Sequence, residues 1–226
     1  RTLDMTESNL IKQAYKHRVK SLENSIGGFV VNIVFEKNTY PYIKNNFYYI
    51  KDGQEWNLTE YNDETWPSCY AVFCSASSKS PDYAESMTLL AYMKFDEVKQ
   101  WADTFNTVSK EEDRGKDYEA FKKIKAEKLL SLVEERFPGV RKAIKSYYTA
   151  TPLSYRDYIG NDDGSMYGIA KDYSNPLKTF ISPRTKIPNL YLTGQNLNLH
   201  GILGATMSGL VTSVAFLGSE DIIEKI

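Results

Sequence analysis

The sequence has little of several features that mark common protein classes. It contains two cysteines and two histidines among 226 residues, and none of them has metal-ligand spacing. No apolar run approaches the roughly 20 residues that span a bilayer, and no basic-then-apolar leader opens the chain. The formal net charge is −1, so no general field draws the chain to nucleic acid or acidic lipid. We therefore expect no metal, no nucleic-acid partner, no transmembrane segment and a cytoplasmic location.

The two cysteines, Cys69 and Cys74, lie five residues apart in one apolar run. An odd separation places two side chains on opposite faces of a regular strand. A disulfide between them is therefore not expected, and two buried free thiols fit a reducing compartment.

A glycine-rich strand-to-helix turn is also missing from the first hundred residues, where a dinucleotide-binding enzyme normally carries one. The glycines cluster instead in the segment 189–209. We predict a short buried strand over residues 190–193, a polar turn at Gly194 and Gln195, and a helix over about residues 204–216. Such a helix start presents free N–H groups and a positive dipole to an anionic or electron-rich ligand. A small-residue helix that packs on a sheet for steric reasons alone would have the same pattern.

The order of the other predicted elements argues against a doubly wound nucleotide-binding fold. The elements are a helix at 6–22, strands at 29–35, 47–50, 71–74 and 86–94, helices at 95–105, 118–137 and 140–147, and an extended stretch at 148–153. The charged stretch 109–117 is expected to be solvated. Because steady β-α-β alternation is missing, we predict an α+β fold with a mixed or antiparallel sheet.

Aromatic residues are frequent, with 17 tyrosines and 10 phenylalanines. Ordinary strand preference accounts for them if they cover sheet faces. The same residues would also suit the wall of an apolar cavity.

The last third of the chain carries motifs that resemble a known family. These motifs are Thr151-Pro-Leu-Ser, Tyr167-Gly168, the run 187–195 and the run 200–205. Together they resemble the carboxyl-terminal part of the retinol saturase, phytoene desaturase and carotenoid isomerase family of FAD-dependent oxidoreductases. The close match covers residues 151–217, whereas the upstream part fits the family's substrate-domain region only in pattern.

The resemblance implies a division of this chain into two regions. Residues 1–150 would be a substrate-binding α+β region. Residues 151–226 would be a loop followed by an FAD-contacting strand, turn and helix that belong to the FAD-binding domain. The Rossmann-type domain that holds the ADP half of FAD in this family is absent from the sequence. The chain is therefore expected to be a carboxyl-terminal fragment, which the lack of an initiator methionine also fits.

The resemblance also implies which residues contact FAD. Gly194 and Gln195 would meet the ribityl or pyrophosphate portion, at a position where many relatives carry an acidic residue. The pyrimidine edge of the flavin would meet the backbone of His200, Gly201, Ile202, Leu203, Gly204 and Ala205.

No catalytic residue follows from the sequence, but two side chains are candidates. His200 could act as an acid or base near neutral pH. It could instead fix the turn as a structural residue, because hydride chemistry belongs to the flavin itself. Tyr167 lies in a glycine-flanked loop that resembles a flavin- and substrate-side loop of the family.

The function that the resemblance implies is reduction or desaturation of a carbon–carbon double bond in an isoprenoid, retinoid or carotenoid-like substrate. Flavin-dependent cis–trans isomerisation of a carotenoid is one alternative. A non-catalytic lipid-binding or interaction module is an alternative of another class. Contact with a membrane surface is compatible with a lipid substrate, although no basic amphipathic helix argues for it.

Overall fold

The computed structural model describes residues 2–107 and 114–218. The chain folds into two compact units. The central unit comprises Ile26–Met166, and the terminal unit comprises Arg1–Ser25 together with Tyr167–Ile226. Of the charged stretch expected to be solvated, residues 109–113 lie outside the described residues. The assignment of residues 1–150 to substrate and 151–226 to FAD stays a prediction.

A five-stranded antiparallel sheet forms the framework of the central unit, which confirms the predicted α+β class. The strands are β1 Gly27–Phe35, β2 Phe47–Ile50, β3 Cys69–Ala76, β4 Ala84–Met93 and β5 Ile144–Ala150. Their order across the sheet is β2-β3-β4-β1-β5, and each neighbouring pair is antiparallel. The apolar and β-branched residues of β1 suit a strand in the interior of the sheet.

The five strands belong to the central unit, and helices occur in both units. The helices are α1 Gln13–Lys20, α2 Lys116–Arg136, α3 Val140–Ala143, α4 Pro152–Ile159, α5 Pro176–Thr179 and α6 Gly201–Leu217, with a 3₁₀ helix at Phe95–Trp101. The terminal unit contains α1, α5 and α6, and the central unit contains the rest.

One face of the sheet forms the hydrophobic core with α2. Phe29 and Val31 of β1 are fully buried, as are Leu129 and Val133 of α2, and all belong to one core cluster. The alternate residues of β1 point the other way, because successive strand side chains alternate between faces. Asn32 is exposed there, so the second face of the sheet is only partly covered.

A buried ion cluster fixes α4 to the segment that follows the 3₁₀ helix. The carboxylate of Asp157 accepts hydrogen bonds from Arg156 Nε at 2.7 Å, from Asn106 N at 2.8 Å and from Arg114 Nη2. Burial acts to raise the pKa of Asp157, but these hydrogen bonds outweigh it and hold the pKa below its ordinary value. Arg114 also donates to Thr104 O at 3.0 Å. The cluster therefore depends on one carboxylate that serves two arginines.

Most predicted elements of the central unit are confirmed, with shifted ends. The four strands predicted at 29–35, 47–50, 71–74 and 86–94 correspond to β1–β4, and the helix predicted at 118–137 corresponds to α2. Both cysteines of β3 are free, as expected, but each is half-buried rather than buried. The helix predicted at 95–105 is a shorter 3₁₀ helix.

The prediction of a helix over 140–147 is wrong. Helix α3 ends at Ala143, and β5 begins at Ile144. Its tyrosines pair along β1, with Tyr147 opposite Ile33, so an edge contact far away in the sequence overrides local helical spacing. The stretch predicted to be extended over 148–153 also changes at Thr151, which caps α4 through a reciprocal capping box with Ser154.

Two predictions for the terminal unit also need correction. The helix predicted over 6–22 is limited to α1, whose N-cap side chain makes no capping hydrogen bond. The buried strand predicted over 190–193 is an isolated bridge between Tyr191 and Arg184, and Thr193 is exposed. Within residues 2–107 and 114–218, no strand of the sheet pairs with residues 190–193, so the apolar run has no ladder to extend. The helix predicted over 204–216 is confirmed as α6.

Candidate functional site

The site is built around the extended segment 167–171 of the terminal unit. This segment pairs with the end of the first stretch of the chain, where Ser25 N donates to Gly168 O at 2.6 Å and Ala170 N donates to Glu23 O at 2.8 Å. Ser25 Oγ also accepts from Tyr167 N at 3.1 Å. The stretch that precedes the central unit in the sequence is therefore hydrogen-bonded to the stretch that follows it.

Asn196 fixes the same segment from the other side. Its Oδ1 accepts from Ile169 N at 2.9 Å. A Cβ atom at Gly168 would lie only 1.8 Å from that oxygen, and Gly168 has a φ of +72°. Only glycine satisfies both the close approach and the positive φ. The Tyr167-Gly168 motif therefore depends on glycine for its contact with Asn196.

Lys171 completes this set of contacts. Its Nζ donates to Asn196 O at 2.9 Å and to Leu197 O at 3.2 Å. Burial lowers the pKa of Lys171, because the charged ammonium is partly removed from water. The ammonium thus donates hydrogen bonds to two backbone carbonyls in the turn that follows Gln195. Sequence reasoning missed Lys171, since it belongs to no recognisable spacing pattern.

The two candidate catalytic residues, His200 and Tyr167, contact each other. Their rings stack with centroids 5.6 Å apart and an interplanar angle of 16°. His200 Nε2 lies 2.7 Å from Ile169 O. Because a carbonyl oxygen can only accept, Nε2 carries the hydrogen atom and donates a hydrogen bond to this carbonyl. This arrangement connects the loop that carries Tyr167 to the residue that precedes α6. A part for either side chain in catalysis stays a prediction.

The space beside two glycines that are predicted to contact FAD, one in the polar turn and one at the helix start, is open. Gly194 has a φ of +102° and Gly201 a φ of +73°, and nothing lies within 4 Å of the place where a Cβ would be at either residue. Helix α6 begins at Gly201 after His200, whose side chain makes no capping hydrogen bond. The first N–H groups of a helix have no intrahelical partner, so an acceptor can reach this helix end. Gln195 is half-buried beside Gly194.

The first turn of α6 combines exposed apolar side chains with one buried glycine. Ile202 is 90% exposed and Leu203 is 73% exposed, and Ala205 is exposed as well. Gly204 is buried, and a Cβ there would lie 2.3 Å from the carbonyl of Leu199. The helix start is thus held close to the preceding backbone while its apolar side chains remain accessible.

Two kinds of feature were not found among the described residues. Among residues 2–107 and 114–218, no group of three or more His, Cys, Asp or Glu side chains could hold a metal ion. Within the same residues, no helix combines the length and apolar character needed to cross a bilayer.

Curated proteins of one name are similar in sequence to this chain. No family model matches the chain. The chain is 28% identical over 158 residues to "All-trans-retinol 13,14-reductase" of Danio rerio, which is 69% of this chain and 23% of the relative. It is 29% identical over 150 residues to the protein of that name in Rattus norvegicus, which is 62% of this chain and 24% of the relative. It is 35% identical over 107 residues to that of Homo sapiens, which is 46% of this chain and 18% of the relative.

The chain therefore spans less than a quarter of the length of these curated relatives. An alignment of 158 residues is longer than the segment 151–226, so the similarity extends into the central unit. The expected resemblance is confirmed: the chain is similar in sequence to all-trans-retinol 13,14-reductase.

Proposed function

We propose that this chain is part of a flavin-dependent oxidoreductase that reduces or desaturates a carbon–carbon double bond of an isoprenoid-like substrate. In this proposal, residues 194–205 meet the flavin and the central unit borders the substrate. The observation that carries it is the open, uncapped start of α6, which follows the Tyr167–His200 stack, in a chain similar to all-trans-retinol 13,14-reductase. A cytoplasmic setting, in which both thiols stay reduced, belongs to the same proposal.

The residues at the start of α6 fit a flavin. A flavin offers a flat, electron-rich edge that gains negative charge on reduction. Gly201 leaves its backbone open, and the uncapped N–H groups of α6 supply donors and a positive dipole end. Gly194 is equally open, so the preceding turn can approach a phosphate or ribityl group.

The partly covered face of the central sheet supports an apolar substrate. Tyr48 is 70% exposed, Tyr148 is 68% exposed and Val34 is 36% exposed. Tyr148 lies opposite Asn32, and Val34 lies opposite Ser86. Aromatic and aliphatic side chains with a few polar groups are the usual lining of a small-molecule site.

FAD, when bound, would supply hydride transfer to or from the carbon–carbon bond. The chain's own residues would bind, orient and exclude water. The N–H groups of α6 would orient the flavin edge, and Ile202 and Leu203 would keep water from it. The stack on His200 would hold the ring of Tyr167 in one orientation, and Tyr167 Oη would be the candidate atom to hold a proton.

The test is the complete reading frame that encodes this chain, expressed and purified with two matched variants. We expect yellow protein with stoichiometric FAD. We expect Gly201→Ala to lower FAD affinity about fivefold, because a contact to the flavin edge is worth about 1 kcal/mol. Gly53→Ala is the control, since Gly53 has a φ of +76° and equally open surroundings but lies in the central unit.

Two outcomes would contradict the proposal. One is a full-length protein that never retains flavin, which would favour a non-catalytic lipid-binding module. The other is an equal loss of FAD affinity in both variants, which would assign the effect to backbone strain. The chain of 226 residues alone is expected to bind FAD poorly, and stoichiometric flavin absorbance in that preparation would refute this expectation.

A further inference from the structure

A cavity of about 430 Å³ lies within the terminal unit, and two aromatic rings, Tyr173 and Phe180, line it together with Pro176 and Leu197. Both rings are accessible, because Tyr173 is 96% exposed and Phe180 is 46% exposed. Ligand cavities in proteins measure roughly 300–1,000 Å³ and are lined mainly by apolar and aromatic side chains. The volume and the rings therefore fit a small molecule with a flat body, which can pack against an aromatic face.

Lys171 is a half-buried cation in the wall of this cavity. Its Nζ donates to two neutral carbonyls, Asn196 O and Leu197 O, which uses two of the three N–H donors of an ammonium group. Within residues 2–107 and 114–218, no carboxylate forms an ion pair with Lys171. Burial lowers its pKa, as expected for a cation that has lost water without gaining a counter-charge. One donor and the positive charge are therefore available to a ligand.

The carboxylate of Asp172, which also lines the cavity, does not supply that counter-charge. Hydrogen bonds from Ser174 Oγ at 2.6 Å and from Asn175 N at 3.1 Å lower the pKa of Asp172, so the group is ionised at neutral pH. Its Oδ2 lies 3.7 Å from Lys178 Nζ. Asp172 thus pairs with Lys178 and leaves Lys171 without a partner of opposite charge.

Arg18 brings a further cation to the wall. Its Nη1 donates to Lys178 O at 3.3 Å and its Nη2 donates to Phe180 O at 3.5 Å. Both acceptors are neutral carbonyls, and one of them belongs to a residue that lines the cavity. Together with Lys171 and Lys178, Arg18 outweighs the single charge of Asp172. The surroundings of the cavity therefore have an excess of positive charge, which attracts an anion.

We propose that this cavity binds an organic anion with a flat aromatic body, such as an aryl carboxylate. An anionic oxygen of the ligand accepts a hydrogen bond from Lys171 Nζ, and the ring of the ligand packs against Phe180 and Tyr173. Such binding requires neither flavin nor turnover and therefore goes beyond the function proposed above. A chain that binds no aromatic anion leaves the flavin proposal intact, and a full-length protein that retains no flavin leaves the anion site intact.

Isothermal titration calorimetry of the 226-residue chain with three ligands of similar shape tests the site. At neutral pH, 2-naphthoate is an anion, 2-naphthamide is neutral and 2-naphthylmethylamine is a cation. We expect 2-naphthoate to bind roughly 5- to 10-fold more tightly than the amide, because hydrogen bonds between charged groups are stronger than those to neutral acceptors. The preference should shrink when NaCl is raised from about 0.05 M to about 0.5 M, because salt screens a partly exposed charge. The amine should bind most weakly.

Three variants connect the preference to Lys171. Lys171→Met should lower the affinity for 2-naphthoate to that for the amide, whereas the affinity for the amide should stay the same. Lys171→Arg keeps the charge and should retain part of the preference. Lys186→Met is the control, because Lys186 is exposed in the same unit and does not line the cavity. This control should change the affinity for 2-naphthoate by less than about twofold, as expected for a distant exposed charge.

Four results would overturn the proposal: no binding of 2-naphthoate, equal affinity for the acid and the amide, tighter binding of the amine, or an equal loss of affinity in Lys171→Met and Lys186→Met. Tighter binding of the amine would assign recognition to Asp172. If Lys171→Met does not fold, the three ligands on the parent chain and on Lys171→Arg still decide.

Discussion

His200 and Tyr167 form a near-parallel stack, 5.6 Å between ring centroids, at the point where a loop of the terminal unit meets the start of α6. Ile169 O accepts a hydrogen bond from Nε2 of the same imidazole at 2.7 Å. One side chain therefore makes both an aromatic and a polar contact to the segment 167–169. Both sequence-derived candidates thus belong to one structural element of the site.

His200→Phe separates these two contacts. Phenylalanine keeps the stack but cannot donate to Ile169 O, so we expect the free energy of unfolding of the terminal unit to fall by about 1 kcal/mol. Urea denaturation followed by circular dichroism measures the change. His17→Phe is the control, because His17 is exposed on α1, and it should change stability by less than about 0.5 kcal/mol. An equal effect of both substitutions would show that the hydrogen bond contributes nothing.

Two glycines of α6 should respond in opposite directions to alanine. Gly204→Ala places a methyl group 2.3 Å from the backbone of Leu199 and should destabilise by about 1–3 kcal/mol. Gly209 has nothing within 4 Å of its Cβ position, so Gly209→Ala should stabilise by up to about 1 kcal/mol through helix propensity. Chemical denaturation of both variants gives the two signs. Stabilisation by Gly204→Ala would contradict the close approach of Leu199.

Asp157→Asn should be among the most damaging single substitutions in the central unit. The change leaves Arg114, which is 8% exposed, without its counter-charge, and breaking such a buried pair costs about 3–5 kcal/mol. The measurement is the free energy of unfolding at pH 7. The control is Asp162→Asn, because Asp162 is exposed, and it should change this value by less than about 0.5 kcal/mol.

The same aspartate predicts a pH dependence. The folded state lowers the pKa of Asp157, so its contribution is fully present above about pH 4, the unfolded value. The contribution is lost as pH falls through the lower folded pKa, because the unfolded state binds the proton first. The stability difference between the parent chain and Asp157→Asn should therefore shrink below about pH 4. A difference that stays constant from pH 7 to pH 3 would contradict the lowered pKa.

Both thiols should be reduced and slow to react. Burial raises the pKa of Cys69 and of Cys74, and only the thiolate is nucleophilic. Alkylation of the folded chain at pH 8 should be several-fold slower than that of glutathione, with both thiols reacting once guanidinium unfolds the chain. Mass spectrometry of the alkylated protein counts them. Rapid modification of either folded thiol would contradict its raised pKa.

The local sequence pattern was sufficient to predict a strand where successive residues are apolar and β-branched. The run from Phe29 to Phe35 indicated β1 because apolar and β-branched residues are typical of strands. The pattern failed at 144–147, because the apolar residues Val140, Ala143, Ile144 and Tyr147 recur at helical spacing. Pairing with β1 decides that segment, and β1 is more than a hundred residues away.

The candidate site shows the same limit. Glycine spacing located the open helix start, and α6 begins where backbone freedom at Gly201 permits. No spacing could reveal that Asn196 contacts Gly168, since that contact joins two loops of irregular backbone. The buried strand expected at 190–193 failed for a related reason: an apolar run becomes a strand only where another strand offers it hydrogen bonds.

The hydrogen bond between Ser25 and Gly168 has a consequence for biosynthesis. The central unit is inserted into the sequence of the terminal unit, because the chain leaves the terminal unit at Ser25 and returns to it at Tyr167. The ribosome synthesises the first stretch of the terminal unit long before the segment 167–171, with which that stretch forms hydrogen bonds. Since domains generally fold as units during synthesis, the inserted unit can become compact first, and the terminal unit can close only after the last hydrogen-bonding segment has emerged.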